Sequence, residues 1–219
     1  MGINFSTLEI EDWILHTRYP EGDGPFPVAL LVHGWTGDEN SMWVFASRLP
    51  KDFLLIAPRG LHTAPRGGYG WHAHSEQSLP WVDEFRPSIE ALMELLTPAN
   101  FPKADFSRMY LIGFSQGAAL VYTFALLYPG QVVSLAGLAG FLPQGAAALA
   151  RNLPLRGKPV FVAHGTQDDQ VPVERARQAV EILQQAGAEV TYCEDDVGHK
   201  LSATCFRALE SFFSAQGTA

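Results

Sequence analysis

The chain contains 219 residues, of which 47% are hydrophobic and 17% are charged, and its formal net charge is −8. This composition is too apolar for a disordered chain, and the excess of Asp and Glu argues against general affinity for nucleic acids or anionic membranes. Cys193 and Cys205 are the two cysteines, which predicts no disulfide framework and no zinc ribbon. We expect one domain over residues 1–219. The expected compartment is reducing, or the protein is indifferent to redox conditions, and the expected location is cytoplasmic.

The N-terminal segment MGINFSTLEI lacks the basic patch and apolar core of a signal peptide. No apolar run approaches the roughly 18 residues that a membrane helix needs. We therefore expect no stable insertion into a membrane.

Short apolar runs alternate along the chain with segments that have helical spacing. A more mixed segment at residues 8–17 predicts an edge strand or a hairpin. The predicted strands lie at residues 28–32, 53–57, 109–112, 132–138, 160–163 and 189–193, and the predicted helices lie at residues 87–96, 118–128, 173–186 and 202–213. Strands that alternate with helices predict an α/β fold with a mostly parallel central sheet and helices on both faces.

The segment MYLIGFSQGAA places Ser115 between Gly113 and Gly117. A strand-like run ends at Gly113, and a helical pattern starts just after the serine. A nucleophile elbow has this arrangement, because a sharp turn lifts the hydroxyl clear of the backbone and small residues two positions away avoid a clash. Ser115 is therefore the predicted nucleophile, and the alternative is a serine that only caps a helix.

A serine hydroxyl needs a base, and the base needs an orienting acid. His199 follows the predicted strand at residues 189–193, and Asp168 and Asp169 follow the one at residues 160–163. Both loops are expected at the carboxyl edge of the parallel sheet, in the chain order serine, acid, histidine. We predict His199 as the base, and these observations leave Asp168 and Asp169 as alternatives for the acid.

The oxyanion that forms during acyl transfer needs two N–H donors. One is expected from the backbone of Gln116, which follows the serine directly. The second is expected from the loop HGWTGD after the first parallel strand, and we assign it to the backbone of Trp35. The side chain of Trp35 is then expected to line the acyl pocket, with core or surface packing as the alternative.

The loop RGGYGWHAH contains two further signals. Its GYGWHA segment has the spacing of a dinucleotide fingerprint but does not follow a strand, and His72 with His74 lacks a third ligand at metal spacing. We therefore predict no cofactor and no metal, and we expect Tyr69 or Trp71 to shape the substrate pocket, with Trp71 as the predicted substrate-binding residue.

The segment between residues 138 and 160 is too short for a large cap domain. An exposed site of this kind favours short- or medium-chain substrates. Phe141 and Leu142 are expected to line it or to pack against the core, and Val171 is a further predicted substrate-binding residue.

The segments LVHGWTGDEN, LLIAPRG, LIGFSQGAAL, VAHGTQDDQVP and VGHKL stand in the order and spacing of a known family. Over about residues 25–213 the chain resembles the carboxylesterase/phospholipase family of α/β-hydrolases, which includes acyl-protein thioesterases and small bacterial carboxylesterases. The resemblance implies the α/β-hydrolase fold and a triad of Ser115, Asp168 and His199. The family pattern HGxxDxxVP places the acid on Asp168 and not on Asp169.

The resemblance also implies oxyanion donors at Trp35 and Gln116. Two positions depart from the family pattern. The oxyanion loop is one residue longer than the common HGLGD form, and Ala118 stands where the elbow often has a glycine. These departures bear on the acyl preference and leave the expected reaction type intact.

The expected function is that of a serine carboxylesterase that hydrolyses short- to medium-chain acyl esters of small molecules through an acyl-enzyme, without a cofactor. The same residues suit an acyl-protein thioesterase or a lysophospholipase. A dienelactone hydrolase usually carries cysteine at the elbow, and a binding module that has lost catalysis usually lacks a triad member. No nucleic-acid partner is expected, and the oligomeric state is not predicted.

Overall fold

A computed structural model describes residues 5–73 and 79–216. Strands and helices alternate over most of this length. In chain order the elements are β1 (Ser6–Ile10), β2 (Trp13–Arg18), β3 (Phe26–Val32), α1 (Trp43–Ala46), β4 (Leu54–Pro58), β5 (His62–Thr63), β6 (Tyr69–Gly70), α2 (Val82–Leu95), β7 (Ala104–Phe114), α3 (Gln116–Leu127), β8 (Ser134–Leu138), α4 (Ala146–Ala150), β9 (Pro159–Gly165), α5 (Val173–Gln185), β10 (Glu189–Asp195) and α6 (Ala203–Ser214).

Eight of these strands form one sheet in the order β1-β2-β4-β3-β7-β8-β9-β10. The neighbouring pairs from β4 to β10 are parallel, whereas β2 is antiparallel to both β1 and β4. The prediction of a mostly parallel sheet is therefore confirmed, and the mixed segment at residues 8–17 belongs to the hairpin of β1 and β2. The strands β5 and β6 form a separate two-stranded sheet.

Strand β3 shows why the sheet is covered on both faces. Its side chains alternate: Val28, Leu30 and Val32 pack with α2, α3 and α5, and Ala29 and Leu31 pack with α1 and α6. Because successive side chains of a strand point to opposite faces, a continuous apolar run fills two cores at once. The prediction of helices on both faces is confirmed.

Helix α2 begins five residues before the predicted start at Pro87. The backbone N–H of Trp81 donates to Glu84 Oε1 at 2.7 Å, so the first turn is capped upstream of the proline. A proline inside a helix removes one backbone hydrogen bond, whereas a proline in the first turn does not. For this reason the sequence pattern predicts that the helix starts at Pro87. The apolar spacing that starts at Val82 and Phe85 is the signal that marks the true first turn.

The two cysteines form a disulfide between β10 and α6, so the expectation of no disulfide framework is wrong. Cys193 lies in β10 and Cys205 in the first turn of α6, 12 residues apart in sequence. The segment between them contains His199. A cross-link that closes a loop of this length stabilises a fold by about 3 kcal/mol, chiefly by restricting the unfolded chain.

None of the described helices combines the length and the apolar character that crossing a bilayer requires.

Candidate active site

Four loops meet at the edge of the sheet where the parallel strands have their carboxyl ends. Residues 33–38 follow β3, Ser115 follows β7, Asp168 follows β9 and His199 follows β10. Ligands of open α/β sheets bind at this edge. The fold thus brings together side chains that lie far apart in sequence.

Ser115 occupies a sharp turn between β7 and α3, with φ of 54° and ψ of −117°. Left-handed φ values are rare outside glycine, and strained residues of this kind cluster at functional sites. A Cβ at Gly113 would collide with the backbone of Gly117, and a Cβ at Gly117 would collide with the carbonyl of Val32. The two glycines therefore permit the close approach of β3, β7 and α3 that this turn needs.

His199 and Asp168 are joined by a short hydrogen bond. Nδ1 of His199 lies 2.7 Å from Oδ2 of Asp168, and the ring of Phe114 packs against the imidazole edge-on at 5.0 Å. A carboxylate accepts, so Nδ1 carries the hydrogen and Nε2 keeps its lone pair. Asp169 is exposed, and of the two adjacent acids the structure brings Asp168 to His199.

The carboxylate of Asp168 is buried but well supplied with donors. Its Oδ1 accepts the backbone N–H groups of Gln170 and Val171, each at 2.9 Å. Burial by itself raises the pKa of Asp168. The N–H of Val171, the hydrogen bond from His199 and the N–H of Gln170 outweigh burial, so the pKa lies below its ordinary value and the group is ionised at neutral pH.

A second histidine, His164, faces the same carboxylate. Sequence reasoning did not predict this contact. Nε2 of His164 lies 2.7 Å from the carbonyl oxygen of Val171 and 3.3 Å from Oδ2 of Asp168. Because both neighbours accept, Nε2 must carry the hydrogen. Nδ1 of His164 is buried with no hydrogen-bond partner among the described residues. His164 thus holds the turn that presents Asp168.

The loop after β3 is fixed by His33. Its Nε2 accepts the backbone N–H of Gly60 at 2.9 Å, so Nδ1 carries the hydrogen and donates to the carbonyl of Gly34 at 2.7 Å. Burial lowers the pKa of His33, which keeps the ring neutral. The predicted donor Trp35 lies in this turn, and Gln116 is the first residue of α3, whose leading N–H groups have no partner within the helix.

Trp71 is fully buried and is not among the described residues that line the cavity beside Ser115, so its role in shaping the substrate pocket stays a prediction. Its indole Nε1–H donates to the carbonyl of His33 at 2.8 Å, and its backbone N–H donates to Oε1 of Gln116 at 2.8 Å. The indole therefore braces the loop of His33 from inside the core, and the backbone of Trp71 braces the side chain of Gln116. The apolar and aromatic character that suggested a pocket reflects this packing.

A cavity of about 1040 Å³ opens beside Ser115 and His199. Trp35 contributes to its wall. The described residues that line it are Gly34, Trp35, Thr36, Gly37, Ser41, Met42, Val44, Phe45, Pro65, Arg66, Phe114, Ser115, Gln170, His199, Lys200, Leu201 and Phe206. Sequence reasoning missed the apolar side chains that α1 and α6 supply, because neither segment carries a site motif.

Three predicted substrate-binding residues are absent from this described wall. Phe141 and Leu142 pack against the core on the side of α2 and α3. Val171 is buried. Its backbone N–H donates to Asp168, and its carbonyl oxygen accepts from His164. Phe141 and Leu142 thus show the packing that was the alternative, and the backbone of Val171 supports Asp168. Substrate binding by these three residues stays a prediction.

The described residues contain no group of three or more His, Cys, Asp or Glu side chains placed to hold a metal ion. His72 is buried, with Nδ1 3.0 Å from the carbonyl oxygen of Ala73, and His74 lies outside the described residues.

A family model described as phospholipase/carboxylesterase matches residues 22–216. A probable carboxylesterase of Oryza sativa is 33% identical over 106 residues, which is 48% of this chain and 40% of the relative. The match to acyl-protein thioesterase 1 of Debaryomyces hansenii is 29% identical over 180 residues, 72% of this chain and 76% of the relative. The chain thus spans less than half the length of the plant carboxylesterases that it matches, between 40% and 46%.

Among solved structures, the carboxylesterase of Bacillus cereus superposes with a TM-score of 0.80 at 22% sequence identity. The superposition covers 91% of this chain and 92% of that chain. At this identity the likeness establishes a shared fold.

Proposed function

The chain belongs to the phospholipase/carboxylesterase family of α/β-hydrolases, and we propose on that premise that it is a serine carboxylesterase acting on short- to medium-chain acyl esters of small molecules. The single observation that carries the proposal is the short hydrogen bond between His199 and Asp168, made at the cavity that Ser115 also lines. Acyl transfer requires three groups: a hydroxyl at a strained elbow, a neutral imidazole with its hydrogen on Nδ1, and an ionised carboxylate.

In the proposed reaction Ser115 attacks the ester carbonyl while Nε2 of His199 takes its proton. Asp168 holds the imidazole in the tautomer with hydrogen on Nδ1 and stabilises the imidazolium. The imidazolium then protonates the leaving alcohol, which leaves an acyl-enzyme on Ser115. Water activated by Nε2 attacks this ester, and Ser115 is restored.

The backbone N–H groups of Gln116 and Trp35 are the proposed oxyanion donors. Removing one donor of this type typically costs about 2.7–4 kcal/mol of transition-state stabilisation. Gln116 suits the role because it is fixed in two ways. Its side-chain oxygen accepts the backbone N–H of Trp71, and its backbone forms the first residue of α3. The brace through Trp71 links this donor to the loop of Trp35, since the indole also donates to His33.

The preference for short and medium chains rests on the shape of the molecule. Helix α4, with five residues, is the one element that the structure describes between β8 and β9, where related folds carry a cap. A cavity of about 1040 Å³ that is open to solvent suits a small ester.

An acyl-protein thioesterase is the second candidate. The specific observation that favours it is the apolar part of the wall, with Val44, Phe45 and Phe206, which offers a surface for a longer acyl chain. The relative from Debaryomyces hansenii, which matches 72% of this chain, bears that name.

Rates of hydrolysis across p-nitrophenyl esters from acetate to palmitate, compared with an S-palmitoyl peptide, test the proposal. We expect kcat/KM to peak between about four and eight carbons, because α4 is the one element described where a cap would enclose a longer chain. A peak at palmitate together with fast hydrolysis of the thioester would favour the thioesterase. No hydrolysis of any substrate would contradict both and favour a binding module.

The disulfide counts against the cytoplasmic location that the cysteine count predicts. Disulfides persist mainly in oxidising compartments and are rare in the cytosol. The location stays a prediction, which thiol counting of protein isolated from its native source would test.

A further inference from the structure

The charged residues in the described wall of the cavity are all cationic. Arg66 and Lys200 lie there beside His199, and none of the described lining residues is Asp or Glu. The whole chain has the opposite balance, with 23 acidic residues against 15 Lys and Arg. A cleft lined by one sign of charge concentrates ligands of the opposite sign.

Arg66 is attached to a loop that is fixed against the oxyanion loop. The backbone N–H of Tyr69 donates to the carbonyl of Gly37 at 2.8 Å. Gly68 is pressed against the carbonyl of Thr36 so closely that a Cβ there would collide with it. The backbone of Arg66 is thus held on the Trp35 side of the cavity, and the residue is exposed.

Lys200 approaches the cavity from the other side. Its backbone N–H donates to the carbonyl of Gly198 at 2.7 Å, and the residue before it is His199, which is tied to Asp168. Its side chain is exposed. The two cations therefore belong to different loops, one beside the proposed oxyanion donors and one beside the proposed base.

Three acids near the cavity already have hydrogen-bond donors of their own. Glu39 makes two hydrogen bonds to Arg59, at 2.7 and 2.8 Å, and Asp38 accepts from Asn40 and Ser41. The carboxylate of Asp168 accepts a hydrogen bond from His199. Within the part of the chain that the structure describes, neither Arg66 nor Lys200 takes part in an ion pair.

We propose that the cavity selects esters that carry a second, negatively charged group, a carboxylate or a phosphate, and that Arg66 and Lys200 are the residues that recognise it. The inference rests on the proposed esterase function and adds the substrate class. The apolar side chains of the wall hold the chain of the substrate, and the two cations bind its charged group.

The test compares matched esters that differ in one anionic group. On the acyl side, mono-p-nitrophenyl adipate is compared with p-nitrophenyl methyl adipate. On the alcohol side, 1-butyrylglycerol 3-phosphate is compared with 1-butyrylglycerol. The measured quantity is the ratio of kcat/KM for the charged ester to that for the neutral ester, because a ratio cancels general damage to the enzyme.

We expect the wild-type ratio to exceed about fivefold in one of the two pairs, which also shows which side of the carbonyl bears the charge. Arg66→Gln and Lys200→Gln are each expected to lower that ratio about two- to fivefold, the range of a solvent-exposed ion pair. High salt is expected to lower it as well. Lys51→Gln, which removes an exposed cation that does not line the cavity, is the control and is expected to keep the wild-type ratio.

Wild-type ratios within about twofold of unity in both pairs would overturn the inference, as would a preference that the double variant Arg66→Gln/Lys200→Gln retains. Hydrolysis of the neutral esters separates this failure from that of the proposed function. If the neutral esters are hydrolysed without any charge preference, the esterase proposal stands and the substrate class falls. If no ester is hydrolysed, both fall.

Discussion

Replacing Ser115 with alanine is expected to lower kcat for p-nitrophenyl butyrate by about 10⁶-fold, the loss seen when the nucleophile of a serine hydrolase is removed. The remaining rate comes from the oxyanion donors and from substrate binding, which the substitution leaves in place. Alanine keeps the Cβ that already occupies the elbow, so the variant should fold. Steady-state kinetics measures the loss, and circular dichroism checks the fold.

Ser211→Ala is the matched control, since Ser211 is an exposed serine on α6 that does not line the cavity. It should keep the wild-type rate. A Ser115→Ala enzyme that retains more than about one hundredth of the wild-type kcat would show that another group is the nucleophile.

Asp168→Asn is expected to lower kcat by about 10⁴-fold, because it forces the wrong tautomer on the base. Oδ1 of Asp168 accepts two backbone N–H groups, and the oxygen of an asparagine would keep that place. The new amide N–H₂ would then face Nδ1 of His199 and Nε2 of His164. His199 would have to accept at Nδ1 and carry its hydrogen on Nε2, where it cannot take a proton from Ser115.

Asp169→Asn is the control for this variant, because it makes the same chemical change at the exposed neighbour. It should leave kcat within about twofold of wild type. Equal losses in the two variants, or a loss confined to Asp169→Asn, would show that the acid has been assigned to the wrong residue.

The sheet and its main helices could be predicted because their signals are local. Runs such as residues 28–32 are apolar at every position, which marks strands buried on both faces. The helix at residues 173–186 shows its period plainly, and α5 occupies Val173–Gln185. The start of α2 was predicted wrongly, since Pro87 is tolerated inside the helix while capping by Glu84 sets its beginning.

The meeting of Ser115, Asp168 and His199 at one edge could be predicted for a similar reason. Each follows a strand, and parallel strands bring their carboxyl ends together. Their catalytic roles remain predictions. The contact of His164 with Asp168 had no such signal in the sequence. A histidine at the end of a strand can stabilise a turn as readily as it can contact a carboxylate.

Features that depend on tertiary packing could not be predicted. The disulfide of Cys193 and Cys205 requires α6 to lie against β10, and no local sequence pattern indicates that these two elements are in contact. Trp71 resembles a pocket aromatic in sequence, and only the surrounding core shows that it is a brace. Val44 and Phe45 reach the cavity from α1, a helix of four residues that is too short to show a period.

Labelling with a fluorophosphonate, followed by peptide mass spectrometry, measures most directly whether Ser115, His199 and Asp168 form one catalytic unit. The probe bonds only to a hydroxyl that a neighbouring base has activated. The expected result is a single adduct on Ser115 that forms much more slowly in Asp168→Asn. An adduct on another residue, or ester hydrolysis by a protein whose Ser115 stays unlabelled, would contradict this arrangement.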